Sequence, residues 1–549
     1  MFYENKIWIG NAGDKRISIL PWMANRHGLI AGATGTGKTT TLRVLAESFS
    51  DAGVPVFLAD VKGDLSGMCK PGAGSDDIQE RIKKFGLDEA GFKYSDYPTL
   101  FWDIFCKDGI PLRTTVSEMG PILLAKLMDL NDTQADILTC LFKMADDEEL
   151  LLVDIKDLKA MLQYASENTT EISKNYGNVT KASVASIIRG VVALEASGGD
   201  QFFTEPGFNI KDFIRCDNNG RGFINILDGR KLASDPRMYT AFLLYLLSEL
   251  FETLPEVGDL DKPKMIFFFD EAHLLFDDIS KALRQKIEQI VKLIRSKGVG
   301  IYFCTQNPRD IPDEVLAQLG NKIQHALHAY TPAEERAVKT AADSFRSNPE
   351  FDTKTAIMEL GVGEALISVL DDEGVPTIVE RCKVLPPASY MGPADDYEKE
   401  KIYTASDFYK KYKDPIETDS AYEFLERLKS QQEEKKKESE EAKEKEKAEA
   451  AAAKEREKAE AAAAKEKAKE EAAAAKEAEK EAKAAEREEA AKKKKFKSAA
   501  GSVASSAAGT IGRELGKSIG GKVGGKYGKT LGGNVFAQLG RSIMGTFFK

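Results

Sequence analysis

Eight residues, Gly32-Ala33-Thr34-Gly35-Thr36-Gly37-Lys38-Thr39, constrain this chain more than any other stretch. They meet the phosphate-loop pattern G-x-x-x-x-G-K-[ST] at every specified position. His27 to Ala31 ahead of them reads as a short buried strand, and Thr40 to Phe49 behind them as an amphipathic helix. A strand, a glycine-rich turn and a helix in that order place the chain among α/β folds with a mainly parallel sheet. The glycines let backbone N–H groups turn inward around phosphate oxygens, at a helix N-terminus whose dipole favours negative charge. Lys38 is expected on the β/γ-phosphates and the Thr39 hydroxyl on Mg²⁺. The expected nucleotide-binding set is Gly32, Ala33, Thr34, Gly35, Thr36, Gly37, Lys38, Thr39 and Thr40.

Three further strands end in polar residues. Val54 to Asp60 is an apolar run closed by Val61-Lys62-Gly63-Asp64, which puts Asp60 and Asp64 at the carboxyl edge of a parallel sheet or in an Asp-rich turn. Met265 to Phe269 is apolar throughout and runs into Asp270-Glu271-Ala272-His273. That is the layout of a Walker B strand. Asp270 is expected to serve the Mg²⁺ shell and Glu271 to polarise the attacking water. His273 reads as a supporting or packing residue. Gly298 to Thr305 is another buried strand, and Gln306 at its end is expected on the same edge, sensing the γ-phosphate or orienting water. Arg295 lies at the opposite end of that strand, from which it can reach a neighbouring subunit's nucleotide more easily than its own.

Composition narrows the class. The chain has 549 residues, too many for one ordinary domain, so one large core with appendages is expected. A net charge of −10 gives no global sign of nucleic-acid binding, although a local basic channel is compatible with it. Six scattered cysteines without CxxC spacing, and only four histidines, argue against zinc and for reduced thiols. The N-terminus lacks a signal-peptide layout and no 18-residue uncharged apolar run occurs, so the expected location is the cytoplasm.

Around these motifs, Lys6–Gly10 and Arg16–Pro21 form a hairpin signal, and residues 75–215 read as a mostly helical insertion. The sheet resumes at Gly222–Asp228, followed by a helix from Tyr239 to Leu254. A second helix, Ile279 to Lys297, has a basic outer face. Gly361–Leu370 and Val375–Glu380 read as a closing hairpin, with Pro386-Pro387 ending a core that spans 1–390. Residues 391–428 read as a short helical connector.

From 429 to 495 the sequence holds no large apolar residue, only Ala, Glu, Lys and a few polar others. Pairs such as Glu433/Lys437 and Glu441/Lys445 have the favourable i,i+4 orientation. The segment reads as a helical spacer of about 100 Å or as a disordered tether. In 496–549 glycine recurs every four residues from Gly512 to Gly532 beside an aliphatic ridge, with Lys and Arg interleaved. That pattern points to self-association or an anionic membrane surface, or to plain low complexity.

Arg26 to Gly32, Asp60 to Gly67, Phe269 to His273, and Lys297-Gly298-Val299-Gly300 running into Thr305-Gln306-Asn307-Pro308-Arg309-Asp310-Ile311-Pro312 resemble the HerA/FtsK superfamily. The match is closest to the bacterial HerA-like DUF853 group and covers about residues 1–390. The resemblance implies a RecA-like P-loop ATPase that assembles as a homohexamer, and several members pump DNA. It places an arginine finger on Arg295, with Arg309 second. A guanine-specific Asn-Lys-x-Asp is lacking, since Asn321-Lys322-Ile323-Gln324 has no aspartate, so ATP with Mg²⁺ is expected. Two functions follow: a DNA-translocating or helicase-like ring motor, or an ATPase that remodels or anchors protein at a membrane.

Overall fold

The computed structural model describes residues 1–232, 236–276 and 281–489. The chain divides into two units, Met1–Lys437 and Glu438–Lys549. Among the described residues no helix is long and apolar enough to cross a membrane.

The first unit is built on one sheet. Its early strands are β1 (Phe2–Tyr3), β2 (Lys6–Ala12), β3 (Lys15–Ile19), β4 (Gly28–Ala31) and β5 (Val56–Asp60). Then come β6 (Thr99–Asp103), β7 (Ile110–Pro111), β8 (Ile224–Asp228) and β9 (Met265–Phe269). The last are β10 (Val299–Thr305), β11 (Asn321–Gln324), β12 (Glu364–Ser368) and β13 (Glu380–Val384). Across the sheet the order is β1-β2-β13-β12-β11-β4-β10-β9-β5-β8-β6-β7, with β3 paired to β2. From β11 to β7 every pairing is parallel. From β11 back to β1 every pairing is antiparallel. The central strands read Gly-Leu-Ile-Ala, Val-Phe-Leu-Ala-Asp, Met-Ile-Phe-Phe-Phe and Val-Gly-Ile-Tyr-Phe-Cys-Thr, and all of these residues are buried. Continuous apolar runs of this kind are what strands covered on both faces require.

Strand order decides where the motifs meet. β10 lies between β4, which carries the phosphate loop, and β9, which carries Asp270. Parallel register sets Thr305 beside Ala31 and Phe303 beside Phe269, so the residues just past these strands share one edge. The helix after the loop runs Lys38–Asp51 and buries Leu42, Leu45, Ala46 and Phe49 against the sheet. Phe49 packs edge-on against Tyr302 and also meets Phe268, ring centroids 6.0 and 6.4 Å apart.

Residues 75–215 are mostly helical, and β6 and β7 within them extend the sheet at its far edge before the helices Val116–Leu127, Asp132–Asp147, Ile155–Glu167 and Lys181–Leu194. Capping boxes at Thr115/Glu118, Asn131/Gln134 and Asp154/Asp157 start three of these helices. The partner of β12 is Glu380–Val384 rather than 375–380. Residues before it close the hairpin past the end of β12 through an antiparallel bridge of Leu370 with Pro376, Thr377 N–H donating to the Val369 carbonyl at 2.8 Å, and the Ser368 hydroxyl donates to the Thr377 carbonyl at 2.7 Å.

Pro386-Pro387 does not end the core either. Ala388, Ala394, Tyr403, Tyr412, Ala421 and Leu425 are buried within it. Residues 388–394 cross the phosphate-loop helix, where Glu47 accepts from Ala388 and Ser389 N–H at 2.8 and 3.0 Å. Ala394 N–H donates to the Ser66 hydroxyl at 2.9 Å in the turn after β5. Farther on, Arg113 donates to the Tyr412 carbonyl at 2.6 Å, and Trp102 packs against Phe408 and Tyr412.

A helix spans Ala421–Glu489, so 429–489 is helical rather than a disordered tether. Its described side chains beyond Lys437 are exposed, as expected of a segment without large apolar residues. The glycine repeat of 496–549 lies outside the described residues.

Candidate nucleotide site

The loop after β4 is tied to its neighbours by backbone bonds. Gly32 N–H donates to the Thr305 carbonyl at 3.2 Å, and Ala33 N–H to the Ala326 carbonyl at 2.8 Å. Inside the loop the Thr36 hydroxyl donates to the Ala33 carbonyl at 2.7 Å, while Gly363 N–H donates to the Thr36 carbonyl at 3.1 Å. Gly35 and Gly37 have φ of +80° and +114°, where an L side chain is strained. A Cβ at Gly32 would stand 2.5 Å from His325 Cβ, so the loop lies directly on that histidine. Glycine backbone at the N-terminus of the fourteen-residue helix Lys38–Asp51 makes a cradle that fits a chain of phosphates.

Lys38 is buried beside this cradle, its ammonium donating to the Gly32 and Ala33 carbonyls at 2.6 and 3.0 Å. Burial, followed by the nearby Lys62 ammonium, lowers its pKa, against the pull of Glu271 and Asp270. Thr39 and Thr40 sit half-buried in the first helical turn. Thr39 and Asp270 together offer hard oxygen donors of the kind Mg²⁺ takes.

Asp270 follows β9, and its carbonyl accepts from the Tyr239 hydroxyl at 3.0 Å. Burial pushes the Asp270 carboxyl up to about 6, the Lys62 ammonium opposing and Glu271 adding to the rise. Glu271 is buried and has φ 50° and ψ 51°, a left-handed conformation for a residue with a side chain. Strain of that kind costs about 1–3 kcal/mol and survives only where the surroundings impose it. Gln306 Nε2 donates to both Glu271 oxygens at 3.3 Å, and Gln306 Oε1 accepts from the Thr34 hydroxyl at 3.1 Å. Loop, Walker B acid and terminal glutamine are thus joined through side chains. His273 Nδ1 is 3.4 Å from the second Glu271 oxygen.

Asp60 takes the turn reading. Its carboxylate accepts from Gly63 and Leu65 N–H at 2.7 and 2.9 Å, and burial, with the Asp64 charge next, pushes it up to about 7. Arg295 is exposed at the other end of β10 and is not brought to this edge. The seven residues of β10 put it about 20 Å or more from Gln306. Arg309 is exposed three residues past Gln306.

Two residues at the site had no expected role. Lys62 forms an ion pair with Glu271 Oε1 at 2.7 Å. His325, just past β11, contacts the Thr41 hydroxyl through Nε2 at 2.9 Å and the Glu364 carbonyl through Nδ1 at 2.8 Å. A carbonyl only accepts, so Nδ1 carries the hydrogen and Nε2 accepts from Thr41. Burial pushes His325 down to about 4, which keeps a neutral ring under the loop. The sequence signal for Lys62 was its place just past an apolar strand ending in Asp60. For His325 there was none beyond its rarity.

Comparison with known proteins adds the family. The model described as helicase HerA-like C-terminal matches residues 6–528. The DNA double-strand break repair helicase HerA of Sulfurisphaera tokodaii is 22% identical over 379 residues, covering 67% of each chain. The DNA import protein CedB of Sulfolobus acidocaldarius is 24% identical over 384 residues, covering 67% of this chain and 54% of CedB. Among solved structures, the bacterial conjugative coupling protein TrwB aligns at 13% identity and a TM-score of 0.47, covering 72% of this chain and 92% of TrwB. VirB4 of Thermoanaerobacter pseudethanolicus aligns at 16% identity and a TM-score of 0.44, covering 69% and 96%. With the match running through the phosphate loop, the Walker B strand and the terminal glutamine, this chain belongs to the helicase HerA-like C-terminal family.

Proposed function

We propose that this chain is an ATP-hydrolysing motor of the HerA/FtsK type that acts on DNA. One observation carries the chemistry: Thr34, Gln306 and Glu271 form a hydrogen-bonded line at the edge that also holds Lys38 and Asp270. The loop amides and Lys38 bind the phosphates, and Thr39 with Asp270 would hold Mg²⁺, which would supply charge neutralisation. Glu271 and Gln306 orient and polarise the attacking water. Transfer of this kind needs positioning and charge stabilisation more than a strong base. Arg295, facing away from its own site, acts on a neighbour's nucleotide, which calls for a ring; the proposed assembly is a homohexamer in the cytoplasm. The action on DNA is supported by the names of the relatives, a repair helicase and a DNA import protein.

The test is the ATPase rate of the full chain with and without duplex DNA. Stimulation by DNA, abolished by Glu271→Gln with nucleotide binding retained, is the expected result. A flat response to duplex and single-stranded DNA alike refutes the DNA assignment. Turnover near the wild-type rate in Glu271→Gln refutes the role of Glu271.

A further inference from the structure

We propose that Lys62 is a positioning residue for hydrolysis, fixing the Glu271 carboxylate beside Gln306 and the phosphate loop and acting through Glu271 rather than on nucleotide affinity. The proposal rests on the ATPase reading of this site.

A glutamate carboxylate turns freely about its last torsion, and Gln306 does not choose between its oxygens, bonding both at 3.3 Å. Lys62 does choose. Its ammonium meets Oε1 at 2.7 Å, which leaves Oε2 to the side of His273. Four segments distant in sequence therefore converge on one carboxylate: the turn after β5, the ends of β9 and β10, and, through Gln306, the loop. The unfavourable backbone of Glu271, φ 50°, is held by this convergence.

The stem of Lys62 is fixed although its head is not buried. Asp60 clamps the turn by accepting from Gly63 and Leu65 N–H, and the Asp64 carbonyl accepts from the buried Arg43 at 2.5 Å. On the other side Arg230 closes over Gly63, whose φ is +77°; a Cβ there would stand 2.6 Å from Arg230 Cδ. The Lys62 side chain is 41% exposed against 8% for Glu271. Ion pairs between solvent-exposed groups contribute only about 0–1 kcal/mol to folding, and here the lysine end is in solvent. A rigid turn built to present such a pair to a carboxylate assigned to the water is better accounted for by orientation than by stability. A lysine that instead touched the phosphates would show itself in nucleotide affinity, which separates the two roles.

The experiment compares the wild type, Lys62→Ala, Lys62→Arg, Glu271→Gln and the Lys62→Ala/Glu271→Gln double variant, all as full chains. Single-turnover and steady-state hydrolysis give kcat and KM, and a fluorescent ATP analogue with Mg²⁺ gives Kd. Lys62→Ala is expected to lower kcat about 10- to 100-fold, the range found when a partner that orients a metal-site side chain is removed, with KM and Kd essentially unchanged. Lys62→Arg should recover most of the rate. In the Glu271→Gln background the loss of Lys62 should cost nothing further, because the group it acts through is gone. An unchanged kcat in Lys62→Ala overturns the proposal, as does a loss that appears in Kd or an additive loss in the double variant. A wild-type chain that does not hydrolyse ATP overturns the ATPase reading and this proposal with it.

Discussion

Glu47→Ala should destabilise the first unit severely although it touches no nucleotide residue. Glu47 is 4% exposed, in the middle of the phosphate-loop helix. Its carboxylate accepts from Ala388 N–H, Ser389 N–H and the Ser389 hydroxyl. One turn earlier Arg43, 1% exposed, donates to the Asp64 and Tyr390 carbonyls and has Glu47 as its leading favourable charge. Alanine leaves three donors without an acceptor and removes one of the three carboxylates, with Asp64 and Asp60, whose charge favours the buried guanidinium. Each stranded buried group costs about 1–3 kcal/mol. The terms share atoms and do not add, so the expected loss is about 3–5 kcal/mol. With an m-value on the order of 3 kcal/mol/M, the urea midpoint followed by circular dichroism should fall by more than about 1 M. Glu47→Gln keeps one acceptor and should lie between the two. A midpoint shift below about 0.3 M, equivalent to about 1 kcal/mol, would refute the claim that residues 388–394 belong to the core.

Three more outcomes bear on Arg295 and Asp270. Arg295→Ala should retain ATP binding and lose hydrolysis by several orders, as trans arginines contribute about 10³–10⁵ in related sites; mixing it with Glu271→Gln protein should restore part of the rate, and no rescue at any ratio would remove Arg295 from the neighbour's site. For Asp270, burial raises the folded pKa from 3.8 to about 6, so its contribution to stability is complete below 3.8 and lost as pH rises through about 6. Asp270→Asn should therefore stabilise the nucleotide-free chain more at pH 8 than at pH 5, by at most about 3 kcal/mol, and a pH-independent effect on the melting temperature would count against the shift. In the wild type, the Mg²⁺-dependent part of nucleotide affinity should weaken below about pH 6, since a proton must leave before the carboxylate can ligate.

What could be read without coordinates was local. The phosphate loop is contiguous, and its glycines, lysine and threonine are needed at fixed spacing by the ligand itself. The apolar run ending in Asp270-Glu271 and the one ending in Gln306 declare buried strands with polar tips, and a sheet that carries a phosphate loop makes its carboxyl edge the ligand edge. What was misjudged depended on partners far along the chain. Pro386-Pro387 stops a strand, yet a proline pair says nothing about whether the following residues pack. Ala388 and Ser389 are core because Glu47, 341 and 342 positions earlier, needs donors. The last strand likewise pairs over Glu380–Val384, with only the Leu370–Pro376 bridge continuing it toward the turn.

The amino-acid sequence by itself determined an α/β chain with a phosphate-loop motif and buried strands ending in an acid pair and in a glutamine, because each motif is specified by chemistry acting over a few neighbouring positions. Tertiary structure alone decided that β5 lies beside β9 and β11 beside β4, with Ala59 opposite Phe269 and Ile323 opposite Ile30. Those two pairings bring Lys62 to Glu271 and slide His325 under the loop. Strand order is set by the packing of whole apolar faces across some 300 residues of intervening chain, and no short pattern encodes it.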